Sequence, residues 1–206
     1  MMLDTVLEWI TDENLEWISA ILGFLYIYCS IKEHILTWFF GVLTSLLYIY
    51  VFFVNKFYAD MGLQVYYVFI SLYGWYMWSS KKSVSSDEDL VVVRKTTKKE
   101  WGAIISSSFL LYFIIWYILS HYTDSPVPKV DAFTTAFSIV ATWMMTRKLL
   151  EQWIFWIVID FVSMSVYLYK DMYPTSVLMG VYTILAYVGF MQWKKQMELK
   201  QEVQHV

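Results

Sequence analysis

Seven stretches of nearly uninterrupted apolar residues divide the chain, at 16–31, 35–54, 61–79, 101–120, 131–146, 152–169 and 174–193. A helix of about 20 residues crosses the hydrocarbon core of a bilayer, so this pattern predicts seven transmembrane helices. Short polar turns separate them, except at 80–100. There Lys81, Lys82, the run Asp87, Glu88, Asp89 and the basic residues Arg94, Lys95, Lys98 and Lys99 gather. Charge and serine at that density predict a solvated linker that holds no active site. Pro126 and Pro128 mark the turn before the fifth segment. Pro174 opens the seventh, where a missing N–H costs little.

The first three segments recur as the last three, offset by 115 residues without a gap. Glu16 falls on Asp131, Lys32 on Arg147, Trp38 on Trp153, Tyr58 on Tyr173, Tyr67 on Tyr182, Gly74 on Gly189 and Trp78 on Trp193. Aromatic residues are common here, so one match means little; matches in one register across three helices, with charges at the same borders, indicate a duplication. Three segments, one linking segment and three more leave both halves pointing the same way through the membrane. The predicted architecture is therefore all-α, with a parallel 3+1+3 repeat and the SWEET-like topology of sugar carriers. Residues 1–206 form one membrane domain, with a first repeat at 16–79, a linking helix at 101–120 and a second repeat at 131–193. Twelve Lys and Arg residues lie on loops that share a side with the C-terminus, against three on the other side. The positive-inside rule then puts the N-terminus outside and the C-terminus in the cytoplasm. Asp4, Glu8, Asp12 and Glu13 replace the basic start of a signal peptide, so no cleavable leader is expected.

Composition agrees: 59% of residues are hydrophobic and 16% charged, far from the soluble average. A net charge of −3 gives no nucleic-acid signal. One Cys excludes a disulfide framework, and the three His are scattered, so neither a metal site nor another cofactor is implied. There is no nucleophile–base constellation and no phosphate-binding glycine loop, which argues against an enzyme and against nucleotide hydrolysis by this chain.

One formal charge stands away from the ends of the apolar segments: Asp160. A charge at that depth costs about 2–4 kcal/mol or more, so its default reading is functional. Trp153, Trp156 and Asp160 are spaced i, i+3, i+7 and share a helix face. Two indoles beside a carboxylate suit a flat cation. The offset sets Trp38, Gly41 and Ser45 against these three, giving a pseudo-symmetric cavity with one charged wall. Gln64, Tyr67 and Ser71 on the third segment, Ser138 and Thr142 on the fifth, and Tyr182 opposite Tyr67 could complete the wall. The blander reading makes these residues helix–helix glue and Asp160 a structural carboxylate. Gly74 and Gly189 are read as permitting close helix packing. A seven-helix sensor or receptor is the competing class, but alternating access explains duplicated halves and signalling has no need of them.

The segment Asp131-Ala132-Phe133, then Ser138-Ile139-Val140-Ala141, then Met145-Thr146-Arg147-Lys148-x-x-Glu151-x-Trp153-x-x-Trp156, resembles the PnuC family of bacterial vitamin transporters. So do Tyr58-Ala59, Leu63-Gln64 and Tyr73-Gly74-Trp75-Tyr76-x-Trp78, and the likeness runs from about residue 16 to 193. The resemblance implies an inner-membrane facilitator that takes up nicotinamide riboside down its gradient. A cytoplasmic vitamin kinase would then trap the substrate by phosphorylation. It also implies that the W-x-x-W motif, here Trp153 and Trp156, lines the site. Asp160 departs from the Asn that nicotinamide riboside carriers of the family often hold. An ionised carboxylate only accepts hydrogen bonds, which fits the aminopyrimidine of thiamine carried by the PnuT relatives. Both vitamins are fixed aromatic cations, so the residues leave the choice open. No segment displays a separate packing face, so a homo-oligomer and a monomer are both compatible with the sequence.

Overall fold

The computed structural model describes residues 12–54, 58–79, 92–123, 125–169 and 173–204. These hold seven helices: α1 (Asp12–Ile31), α2 (Leu36–Val54), α3 (Tyr58–Ser79), α4 (Lys98–Tyr122), α5 (Pro128–Thr146), α6 (Gln152–Tyr169) and α7 (Tyr173–Gln204). Each apolar segment is found as a helix with its ends within about a turn, except that α7 runs on past residue 193 to Gln204. Among the described residues, three stretches are long and apolar enough by themselves to cross a membrane: Lys98–Tyr122, Gln152–Tyr169 and Ser176–Leu199. Large apolar side chains such as Phe69, Phe109, Phe113, Phe161 and Ile184 lie exposed along the helices. Water would penalise such faces and lipid accepts them.

The chain divides into two compact units, one ending at Ser80 and the other beginning at Lys81. In the first, α2 packs against both α1 and α3. In the second, α4 packs on α5, α5 on α6 and α6 on α7, so the linking helix groups with the later helices. The most extensive packing in each unit is between its last two helices, α2 with α3 and α6 with α7.

The same residue-level devices recur at the 115-residue offset. At the α1–α2 corner, His34 N–H donates to Cys29 C=O (2.8 Å) and Glu33 N–H to Ser30 C=O (3.1 Å). At the α5–α6 corner, Leu149 N–H donates to Met144 C=O (3.1 Å) and Lys148 N–H to Met145 C=O (3.0 Å). Both are Schellman turns, which satisfy helix-end carbonyls by placing one residue in the left-handed region. That residue is Glu33 (φ 52°) in one and Lys148 (φ 51°) in the other, although glycine would sit there with less strain.

The helix pairs match as well. Trp38 meets Trp78 edge to face, with centroids 5.2 Å apart and planes at 84°. Trp153 meets Trp193 likewise, at 5.5 Å and 89°. A Cβ added to Gly74 would stand 2.5 Å from the Trp38 ring, and one added to Gly189 would stand 2.6 Å from Trp153. Each glycine is therefore a notch filled by an indole from the neighbouring helix, as the close-packing reading expected.

Residues 92–97 correct one expectation. The 80–100 stretch was expected to be a solvated linker; residues 80–91 lie outside the described residues, but the remainder is docked. Val93 is buried. Arg94 forms a parallel bridge to Leu149, with Arg94 N–H donating to Lys148 C=O (3.2 Å) and Leu150 N–H to Arg94 C=O (2.9 Å). Both Arg94 terminal nitrogens bond Glu100, one at 2.8 Å to Oε2. Thr97 and Glu100 cap α4 reciprocally. Charged composition predicted exposure, and Lys95, Thr97, Lys98 and Lys99 are exposed, but backbone pairing and a guanidinium–carboxylate fork dock the segment all the same.

Candidate substrate-binding site

Gln152 opens α6, and its first amides are taken by the preceding turn: Gln152 N–H by Leu149 C=O and Trp153 N–H by Leu150 C=O. The face bearing Trp153, Trp156 and Asp160 thereby starts in a fixed corner. The structure treats the three residues differently. Trp153 is only 2% exposed, closed in by Trp193 and Gly189, and its indole N–H has no hydrogen-bond partner. Trp156 is half-buried. Asp160 is buried at 8% exposure, and no described group donates a hydrogen bond to it. Packing thus holds Trp153 as the base of the face, while Trp156 and Asp160 are the members with polar or aromatic surface to offer.

On α5, Ser138 and Thr142 are both buried. Thr142 Oγ1 donates to Ser138 C=O at 2.8 Å, which leaves the hydroxyl oxygen able only to accept. Tyr182 on α7 is half-buried. Ser176 Oγ donates to Met164 C=O (3.0 Å), pinning the start of α7 to α6.

In the first unit, Trp38 is fully buried against Trp78 and Gly74. Ser45 is buried on α2; Gln64 and Tyr67 are half-buried on α3. Where the second unit has Trp156 the first has Gly41, and a Cβ there would meet Ser71 Oγ at 2.7 Å. The first unit's counterpart of the aromatic wall is thus a close contact between α2 and α3.

Two features were missed in the sequence. Gln152 is fully buried with neither amide atom hydrogen-bonded, and its counterpart Thr37 is fully buried with an unbonded hydroxyl. Glu151 bonds Thr96 through Oε2, at 2.9 Å to N–H and 2.7 Å to Oγ1–H. Nothing in local spacing signals a partner so far along the chain. The Thr97-x-x-Glu100 capping box beside it was a readable pattern.

Apolar helices long enough to cross a membrane, one of them carrying a buried carboxylate, are features of membrane transporters. The chain is a member of the family described as nicotinamide mononucleotide transporter, whose model matches residues 13–195, and it is accordingly a multi-pass protein of the bacterial inner membrane. Among curated relatives, the nicotinamide riboside transporter PnuC of Escherichia coli (strain K12) is 27% identical over 205 residues, covering 87% of this chain and 86% of that protein. The protein of the same name from Neisseria mucosa is 26% identical over 195 residues, covering 89% and 73%. The crystal structure of the vitamin B3 transporter PnuC matches with a TM-score of 0.70 at 25% identity, covering 95% of this chain and 86% of that one.

Proposed function

We propose that this chain takes up nicotinamide riboside by alternating access, down the substrate gradient, with cytoplasmic phosphorylation trapping the product. The observation that carries this reading is the likeness, over most of both chains, to transporters bearing that name. Trp156 and the buried Asp160 on one face of α6 support it, since the pyridinium is a flat fixed cation. In the second unit Ser138, Thr142 and Tyr182 are further polar candidates, with Trp153 as the packed base of the α6 face; in the first unit the candidates are Trp38, Ser45, Gln64 and Tyr67. The helices are arranged as a parallel 3+1+3 repeat, N-terminus outside and C-terminus inside, a reading supported by the distribution of basic residues. A second reading, thiamine as substrate, is favoured by Asp160 itself, because a carboxylate accepts from an amine and cannot donate to a carboxamide.

Calorimetric titration of nicotinamide riboside and thiamine into detergent-purified protein tests both. Nicotinamide riboside binding with thiamine silent is the expected outcome. Thiamine binding alone would transfer the function to the second reading, and absence of both heats would end the cationic-vitamin proposal.

A further inference from the structure

An acidic residue at the start of a helix ordinarily turns its carboxylate toward that helix's own free amides. Glu151 does not. Its backbone C=O accepts from Ile154 N–H (3.0 Å) and Phe155 N–H (3.3 Å), so the main chain belongs to α6. Its carboxylate instead takes both donors of Thr96 on a single oxygen, at 2.9 and 2.7 Å. A charged acceptor makes each bond roughly twice as strong as a neutral one.

Thr96 is itself held firmly. Arg94 pairs by backbone with the 148–150 turn and by side chain with Glu100, and Thr97 and Glu100 cap α4. Ile104 of α4, Val140 and Met144 of α5 and Leu149 of the turn form one buried cluster, with Trp101 and Phe155 packed against it. An unbroken set of contacts therefore runs from the first turn of α4 through Thr96 to the first turn of α6. The first unit lacks the carboxylate: Leu36 stands at the position of Glu151 and is 41% exposed. The anchored helix is the one that carries Asp160.

We infer that Glu151 is a positioning residue of the transporter, which through Thr96 fixes the rotation and depth of α6 and hence of Trp156 and Asp160. This rests on the substrate reading above. At 1.5 Å per residue, Asp160 lies about 13.5 Å along the helix from the anchor. A tilt of about 5° there moves the carboxylate by about 1 Å, a displacement that costs up to about a hundredfold where geometry is demanding.

The test uses the full chain in lipid nanodiscs, with Glu151→Ala, Glu151→Gln, Thr96→Val and Thr96→Ser. Three quantities are read: Kd for nicotinamide riboside, the unfolding midpoint, and hydrogen–deuterium exchange of 152–160 against 37–45. Glu151→Ala is expected to weaken binding roughly tenfold and to speed exchange in 152–160 alone. Glu151→Gln, which keeps the acceptor, stays within roughly threefold, and Thr96→Ser restores what Thr96→Val loses. Adding Thr96→Val to Glu151→Ala makes nothing worse. Wild-type affinity and exchange in Glu151→Ala would overturn the inference, as would losses in all four variants that follow the unfolding midpoint. If the wild type binds no nicotinamide riboside, the substrate reading falls. The exchange comparison then still decides the anchor: faster exchange confined to 152–160 upholds it and unchanged exchange removes it.

Discussion

The α1–α2 and α5–α6 corners share their turn bonds, their left-handed residue and the indole that follows, yet their outer surfaces differ. At the first, His34 and Leu36 face outward. At the second, Leu149 and Leu150 are buried beneath residues 92–97, and Glu151 is bonded to Thr96. What the two corners share is structural: a turn that closes a helix, and an indole set into a glycine notch. Three of their differences, Gly41 against Trp156, Ser45 against Asp160 and Leu36 against Glu151, add aromatic surface, charge or anchoring to α6. The shared indoles and glycines belong to the scaffold, and these three differences to the proposed chemistry.

The sharpest way to break that division is at the paired indoles. Trp38→Ala and Trp153→Ala should each cost about 3–5 kcal/mol of stability, in similar amounts, read from unfolding midpoints in mixed micelles. If Trp153→Ala stays fully stable and loses only binding, Trp153 belongs with the ligand wall and the symmetry argument fails there. Next in size, Gly74→Ala and Gly189→Ala should each cost about 1–3 kcal/mol, because the new methyl meets a ring held in place by its neighbour. A large cost at one and none at the other would mean that the notches are not equivalent.

Smaller and confined to binding, Trp156→Ala should weaken vitamin affinity by about 1–2 kcal/mol through lost cation–π contact, with the unfolding midpoint kept. Asp160→Asn should shift preference from thiamine toward nicotinamide riboside, whereas Ser45→Ala should shift neither; equal loss of both ligands in Asp160→Asn would make the carboxylate structural. The smallest effect is expected at the turns. Glu33→Gly and Lys148→Gly should each stabilise by about 0.5 kcal/mol, relief of left-handed strain being partly offset by a more flexible unfolded chain.

The helices were legible because apolar length alone specifies a membrane-crossing segment, and all seven segments are helical among the described residues. The equivalences Trp38 with Trp153, Trp78 with Trp193 and Gly74 with Gly189 were legible too, since duplicated contacts need duplicated residues. Helical spacing put Trp153, Trp156 and Asp160 on one face but could not say what covers each, and Trp153 is covered by Trp193. Docking of residues 92–97 was invisible for a different reason. Its bridge to Leu149 is made by backbone, which any side chain would allow, and the pairing of Arg94 with Glu100 is one of many that the charges of this stretch could have made.

A ring seated in a notch works like a key in its slot. It resists sliding and turning, so α6 and α7 move together as one lever. A spin label on the exposed Leu199 of α7 would then report displacements of α6 from a distance, without a probe placed beside Asp160.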